Sequence, residues 1–187
     1  MGLDLVEFAM EVEEVFHFQF PDEDTLGITT PRRLIDYLAQ HLPAANDPVC
    51  LSQRAFYRLR QALATRLRSP RTAFRPDTPL LPLIPAAIRH EVWNEVRTEI
   101  GADDARGWPR LAEPGWFDLF RSARAGTLRE AALLLVARFP QVLKGGDAGW
   151  TRTQIAEVVH LLICNRVGLR RNQYTEDSRW REDMGID

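Results

Sequence analysis

The sequence predicts an all-α protein, and three observations carry that reading. Apolar residues recur at helical spacing along several long stretches. Those stretches open on residues that start helices, such as Thr30-Pro31 and Thr151, and close at Ser69-Pro70 or Gly101. Across 187 residues, 45% are apolar and 9% aromatic, the make-up of a chain that buries a core of one large domain or two small ones.

From Leu3 to Phe16, the residues Leu5, Phe8, Ala9, Val12, Val15 and Phe16 fall on one helical face, which is read as core. Another face carries the acids Asp4, Glu7, Glu11 and Glu14, with Leu3, Val6 and Met10 between acid and core. Asp4 and Glu7 also suit the positive end of the helix dipole. Pro21, in Phe20-Pro21-Asp22-Glu23-Asp24, stops this helix and a turn follows. Thr30 caps the next helix, Pro31 occupies its first turn, and Leu34, Ile35 and Leu38 form its apolar face as far as His41. Residues 43–48 read as a short linker.

The middle opens on a helix from Ser52 to Arg68, with Phe56, Leu59, Leu63 and Leu67 at helical spacing. Pro76, Pro79, Pro82 and Pro85 make the next stretch irregular. Ile88, Val92, Val96 and Ile100, with Trp93 alongside, then form a helix closed by Gly101. A Trp108-Pro109 loop, a short Trp116 to Phe120 segment and a helix from Leu128 to Phe139 follow. After a glycine-rich loop, Thr151 caps the last long helix, which carries Ile155, Val158, Val159, Leu162 and Ile163 and runs to about Val167.

Charge and motif content exclude several functions. The net charge is −2, but residues 1–42 hold nine acids and two arginines, whereas residues 43–149 hold sixteen basic and eleven acidic residues. In that middle the Arg residues alternate with Glu and Asp, and no nucleic-acid-binding motif accompanies them, so they read as a solvated helical surface. No apolar run reaches the roughly 18 residues of a membrane span and no signal peptide opens the chain, which points to the cytoplasm. Cys50 and Cys164 read as reduced thiols, and the four His residues never take a metal-ligand spacing. No Gly-x-Ser-x-Gly elbow, phosphate loop, dinucleotide fingerprint or His-Glu-x-x-His helix is present, so the chain is not read as an enzyme. The five Trp residues read as core or as a bridge between the two parts.

The stretch LDLVEFAMEVEEVFHFQFPDEDTLGITTPRRLIDYL, beginning at Leu3, resembles the second half of an acyl carrier protein. The stretch RTQIAEVVHLLICNRVGLRRNQYTEDSRWREDMGID, from Arg152 to Asp187, resembles the first half: opening helix, long loop and the Asp-x-Gly-x-Asp lead-in. In that family the lead-in precedes the Ser that carries phosphopantetheine. Joined tail to head, the register is continuous and that Ser falls on Gly2.

The resemblance therefore implies a circularly permuted carrier-like domain, residues 1–42 plus 150–187, with a helical middle domain, residues 49–140, inserted between its halves. It would bring Asp187 and Leu3 to within about 10 Å of each other. It implies a non-catalytic interaction module with no cofactor, because Gly2 offers no oxygen to attack a phosphorus centre. The partner-binding surface would be Leu3, Asp4, Val6, Glu7, Met10, Glu11 and Glu14. Its partner would be a protein with a basic patch, such as a fatty-acid or polyketide-type biosynthetic enzyme, with neither nucleic acid nor membrane involved; a second copy exchanging end segments would make a domain-swapped homodimer. The alternative is a genuine acyl or peptidyl carrier whose Ser is missing from this sequence. The middle carries one further hint: Arg71, Phe74, Asp77 and Thr78 stand 100 positions before Arg171, Tyr174, Asp177 and Ser178, as in a degenerate carrier-like repeat.

Overall fold

The computed structural model describes residues 3–25, 27–45, 49–112, 124–145 and 149–186. The protein is all-α apart from one two-stranded pairing and two isolated bridges among those residues. It divides into two compact units, Met1–Val49 with Gly146–Asp187, and Cys50–Gly145.

In unit 1, α1 spans Leu3–Phe16, α2 Asp22–Thr25, α3 Pro31–His41 and α9 Arg152–Val167. The last of these is the central helix. It buries Ile155, Val158, Val159, Leu162 and Ile163, together with Gln154, His160, Cys164 and Asn165, and packs against both α1 and α3. Against it α1 sets Phe8, Val12, Val15 and Phe16, and α3 sets Leu34, Ile35 and Leu38. Each such large side chain taken from water contributes about 1.5–3 kcal/mol.

Local chemistry fixes the helix ends. Thr30 Oγ1 accepts the Arg33 N–H at 3.3 Å, with Pro31 at the first helical position. Thr151 and Gln154 cap α9 reciprocally, each side chain accepting the other's backbone N–H, at 3.2 and 3.0 Å. The segment after α9 forms a 3-10 turn at Arg171–Gln173 and then folds inward, burying Tyr174, Trp180, Met184 and Ile186. Trp180 packs 5.5 Å from the Phe8 ring and donates its indole N–H to Ile28 O at 2.8 Å. One feature differs from the sequence reading: the turn at Pro21 contains a short helix. The start of the linker is pinned, because Trp150 donates to Pro43 O at 2.7 Å and Ala45 to Trp150 O at 3.1 Å. Gly2 and Asp187 lie outside the described residues.

Unit 2 contains α4 (Leu51–Arg66), α5 (Leu80–Leu83), α6 (Arg89–Ile100), α7 (Leu128–Arg138) and α8 (Pro140–Lys144). Helix α4 packs on α6 and α7, and its buried face uses Ala55, Ala62 and Ala64 beside Leu51, Leu59 and Leu63. Phe56, expected in that face, is only half-buried: a ring there would hold the helices apart, whereas alanines let the backbones approach. Arg54 and Arg58 donate to the last carbonyls of α8, at 2.9 Å to Leu143 O and Val142 O, and offset the negative end of that helix. Trp93 donates to Pro109 O at 2.7 Å and lies 5.1 Å from the Trp108 ring. The short strands β1 (Arg110–Leu111) and β2 (Arg124–Ala125) pair in parallel, which no sequence pattern announced. The helix expected from Leu128 to Phe139 ends at Arg138, and a new one starts at Pro140. The segment expected from Trp116 to Phe120 lies outside the described residues.

Where the start of the linker meets the lead-in to α9, a Cβ on Gly149 would sit 2.5 Å from Ala44 O. Gly149→Ala should therefore force two backbone segments apart and destabilise unit 1 by roughly 1–3 kcal/mol, read from the denaturation midpoint. Unchanged stability would show that these segments do not cross so closely.

Candidate functional site

The outer face of α1 exposes apolar groups beside acids. Met10 is 61% and Val6 37% exposed, although the same helix buries Phe8 and Val12 almost completely. Asp4, Glu7 and Glu14 are exposed and Glu11 is half-buried. Glu7 pairs with Arg166 of α9, so a counter-charge for it comes from unit 1 itself. The Leu3 side chain lies outside the described residues. Beneath this face a cavity of about 30 Å³ opens between Leu5, Phe8, Val12, Phe20, Ile28 and Trp180. That volume holds a water or two.

The sequence at the start of α1 reads Met1-Gly2-Leu3-Asp4, without a side-chain hydroxyl. Thr30 caps α3, and Ser178 Oγ accepts the Thr175 N–H at 3.0 Å.

A second group of residues escaped the sequence reading. His160, Cys164 and Tyr174 form a buried polar cluster, with His160 Nδ1 3.1 Å from the Tyr174 hydroxyl, which also reaches the His160 carbonyl at 3.3 Å. The sequence signal was the i, i+4 spacing of His160 and Cys164 on α9, but nothing in it revealed that Tyr174 folds back onto them. Burial pushes both the Cys164 thiol and the Tyr174 phenol above their ordinary values. Burial and then the charge of Arg171 hold His160 below its ordinary value, against the pull of Glu176, whose Oε1 stands 3.6 Å from Nε2. Burial would raise Glu176, but the hydrogen bond and charge of Arg152, followed by His160, outweigh it and leave it lowered. Arg152 also pairs with Asp36 at 2.8 Å, and Arg32 with Asp177 at 2.6 Å. The cluster thus adjoins a charged seam between α3 and the chain's last segment.

Among the described residues, no group of three or more His, Cys, Asp or Glu side chains is placed to hold a metal, and no helix is long and apolar enough to cross a membrane.

A 43-residue stretch is 48% identical to the acyl carrier protein of Rubrobacter xylanophilus, covering 23% of this chain and 53% of that protein. Over 43 residues the chain is also 45% identical to the acyl carrier protein of Syntrophobacter fumaroxidans, with the same coverage. The chain spans about half the length of the curated relatives it matches. No family model and no solved structure matches it.

Because the folded state favours neutral His160, its contribution is intact above the unfolded value of about 6.5 and is lost as pH falls below it. The melting temperature should fall between pH 7 and 5, and His160→Gln should flatten that part of the profile. Glu176 and Asp177, both lowered, act in a separate window below about pH 4. An identical slope in His160→Gln would assign the decline to other groups.

Proposed function

We propose that unit 1 is a carrier-type bundle in circularly permuted order, formed by residues 1–42 and 150–187 around a helical middle domain at residues 49–140. In this reading it acts as a non-catalytic interaction module that docks a protein partner on α1. Gly2 stands at the position of the modified Ser, and phosphopantetheine is absent from its function. The observation that carries the reading is the outer face of α1, where Val6 and Met10 stay exposed among Asp4, Glu7 and Glu14 while the inner face is core. The similarity to acyl carrier proteins over 43 residues supports it.

Energetics favour docking over an internal role for these groups. Exposed ion pairs contribute only about 0–1 kcal/mol each, so an acidic stripe adds little to stability, whereas acids around an apolar centre steer and orient a basic partner. The partner class is a fatty-acid or polyketide-type biosynthetic enzyme with a basic patch.

Two measurements test this. Incubation of the full chain with a broad-specificity phosphopantetheinyl transferase and coenzyme A should leave its intact mass unchanged. A stoichiometric gain of roughly 340 Da mapped to any Ser would instead establish a genuine carrier. For docking, the chain is titrated with a purified fatty-acid biosynthetic enzyme that recognises acyl carrier protein. Met10→Glu should weaken binding about tenfold, equivalent to about 1.4 kcal/mol, while changing stability by less than about 0.5 kcal/mol. Glu14→Lys should act in the same direction; Glu7 is left intact because it also holds Arg166. Binding of wild type and Met10→Glu with equal affinity would sink the docking role of α1.

A further inference from the structure

Unit 2 repeats several of the hydrogen bonds of unit 1, in a different chain order. Each has a long helix, α4 or α9, followed by a 3-10 turn at Arg71–Ala73 or Arg171–Gln173. Each then buries an aromatic ring, Phe74 or Tyr174. A turn closed by a side chain comes next. Arg75 N–H donates to Thr78 Oγ1 at 2.8 Å, and Thr175 N–H to Ser178 Oγ at 3.0 Å.

The long-range bonds match as well. Leu80 N–H donates to Gly126 O at 2.8 Å and Trp180 N–H to Thr29 O at 3.3 Å, and each acceptor immediately precedes the Thr that caps the final helix, Thr127 of α7 or Thr30 of α3. Arg129 N–H donates to Pro76 O at 2.8 Å and Arg32 N–H to Glu176 O at 2.7 Å. The remaining helix also ends alike: α6 on left-handed Gly101 with Ala102 N–H to Arg97 O, and α1 on left-handed His17 with Phe18 N–H to Glu13 O. Three segments matched at three different sequence offsets share one hydrogen-bond plan, so no single local motif accounts for the likeness.

We propose that unit 2 is a second carrier-type bundle, in uninterrupted order, and that residues 85–88 stand where such a bundle carries its prosthetic group. The proposal rests on the reading of unit 1 given above. The register that aligns His17 with Gly101 places Gly2 opposite Ala86. Residues 85–88 read Pro-Ala-Ala-Ile, all exposed and directly before α6, with no hydroxyl among them. Both bundles therefore lack the attachment oxygen. They differ in what the recognition-type helix offers: α1 leaves Val6 and Met10 exposed among acids, whereas α6 buries Val92, Trp93, Val96 and Ile100. The docking role thus falls to unit 1, and unit 2 is the scaffold copy.

The test restores the missing address in the full chain with Pro85→Asp, Ala86→Ser, Ala87→Leu and Ile88→Asp. The variant is incubated with the broad-specificity phosphopantetheinyl transferase and coenzyme A, beside an ordinary acyl carrier protein as positive control and Ala105→Ser as a misplaced hydroxyl. The expected result is a gain of about one group per chain, roughly 340 Da, mapped to the new Ser and absent from Ala105→Ser. A variant that keeps the wild-type circular dichroism and melting temperature yet gains nothing, while the control is modified, overturns the proposal. So does an experimental structure in which α4, α6 and α7 pack with a handedness different from that of α9, α1 and α3. If α1 docks its partner and the variant stays unmodified, only this inference fails. If neither happens, the carrier reading of unit 1 fails with it.

Discussion

Unit 1 depends on a set of bonds between segments far apart in sequence. The backbone N–H of Arg32, in the first turn of α3, has no partner within its own helix and finds the Glu176 carbonyl at 2.7 Å. The Arg32 side chain grips Asp177, 145 residues away. Trp180 adds a backbone bond to Thr29 and an indole bond to Ile28, and its ring covers Phe8. Each hydrogen bond contributes about 0.5–1.5 kcal/mol net, and loop closure grows only slowly with the length of the intervening chain. A handful of such bonds, backed by the core around α9, can hold two distant segments as one bundle.

The same plan tolerates two kinds of interior. Under the proposed correspondence, His160, Cys164 and Tyr174 of unit 1 occupy the places of Arg60, Ala64 and Phe74 in unit 2. A buried phenylalanine and alanine need no hydrogen bonds, whereas the tyrosine hydroxyl requires the His160 carbonyl and ring nitrogen. The polar set is therefore a choice made on this scaffold and not a requirement of it. It ties the stability of unit 1 to the protonation of one imidazole, next to the Glu176 and Arg152 seam that joins α9 to α3.

Surface chemistry sets the functional reading. An exposed Met and Val flanked by carboxylates suit a partner that brings aliphatic contact at the centre and positive charge at the rim. Under the proposed reading, Gly2 offers no hydroxyl, so docking would proceed without acyl carriage.

By itself the sequence determined the helices. The spacing of Phe8, Val12, Val15 and Phe16, the Thr30-Pro31 start and the Thr151 cap each belong to a single turn or face, where local sterics and hydrogen bonding suffice. The exposed face of α1 was legible for the same reason, since an amphipathic helix declares both its sides. Tertiary structure decided what no local pattern could. It buried Ala55 where Phe56 was expected, paired β1 with β2, and supplied Arg166 as a counter-charge for Glu7. It also folded Tyr174 onto His160 and set Gly149 against Ala44. Each depends on which distant segment arrives opposite, and backbone bonds such as Arg129 to Pro76 and Arg32 to Glu176 form between peptide groups that every residue carries, so side-chain identity does not reveal them.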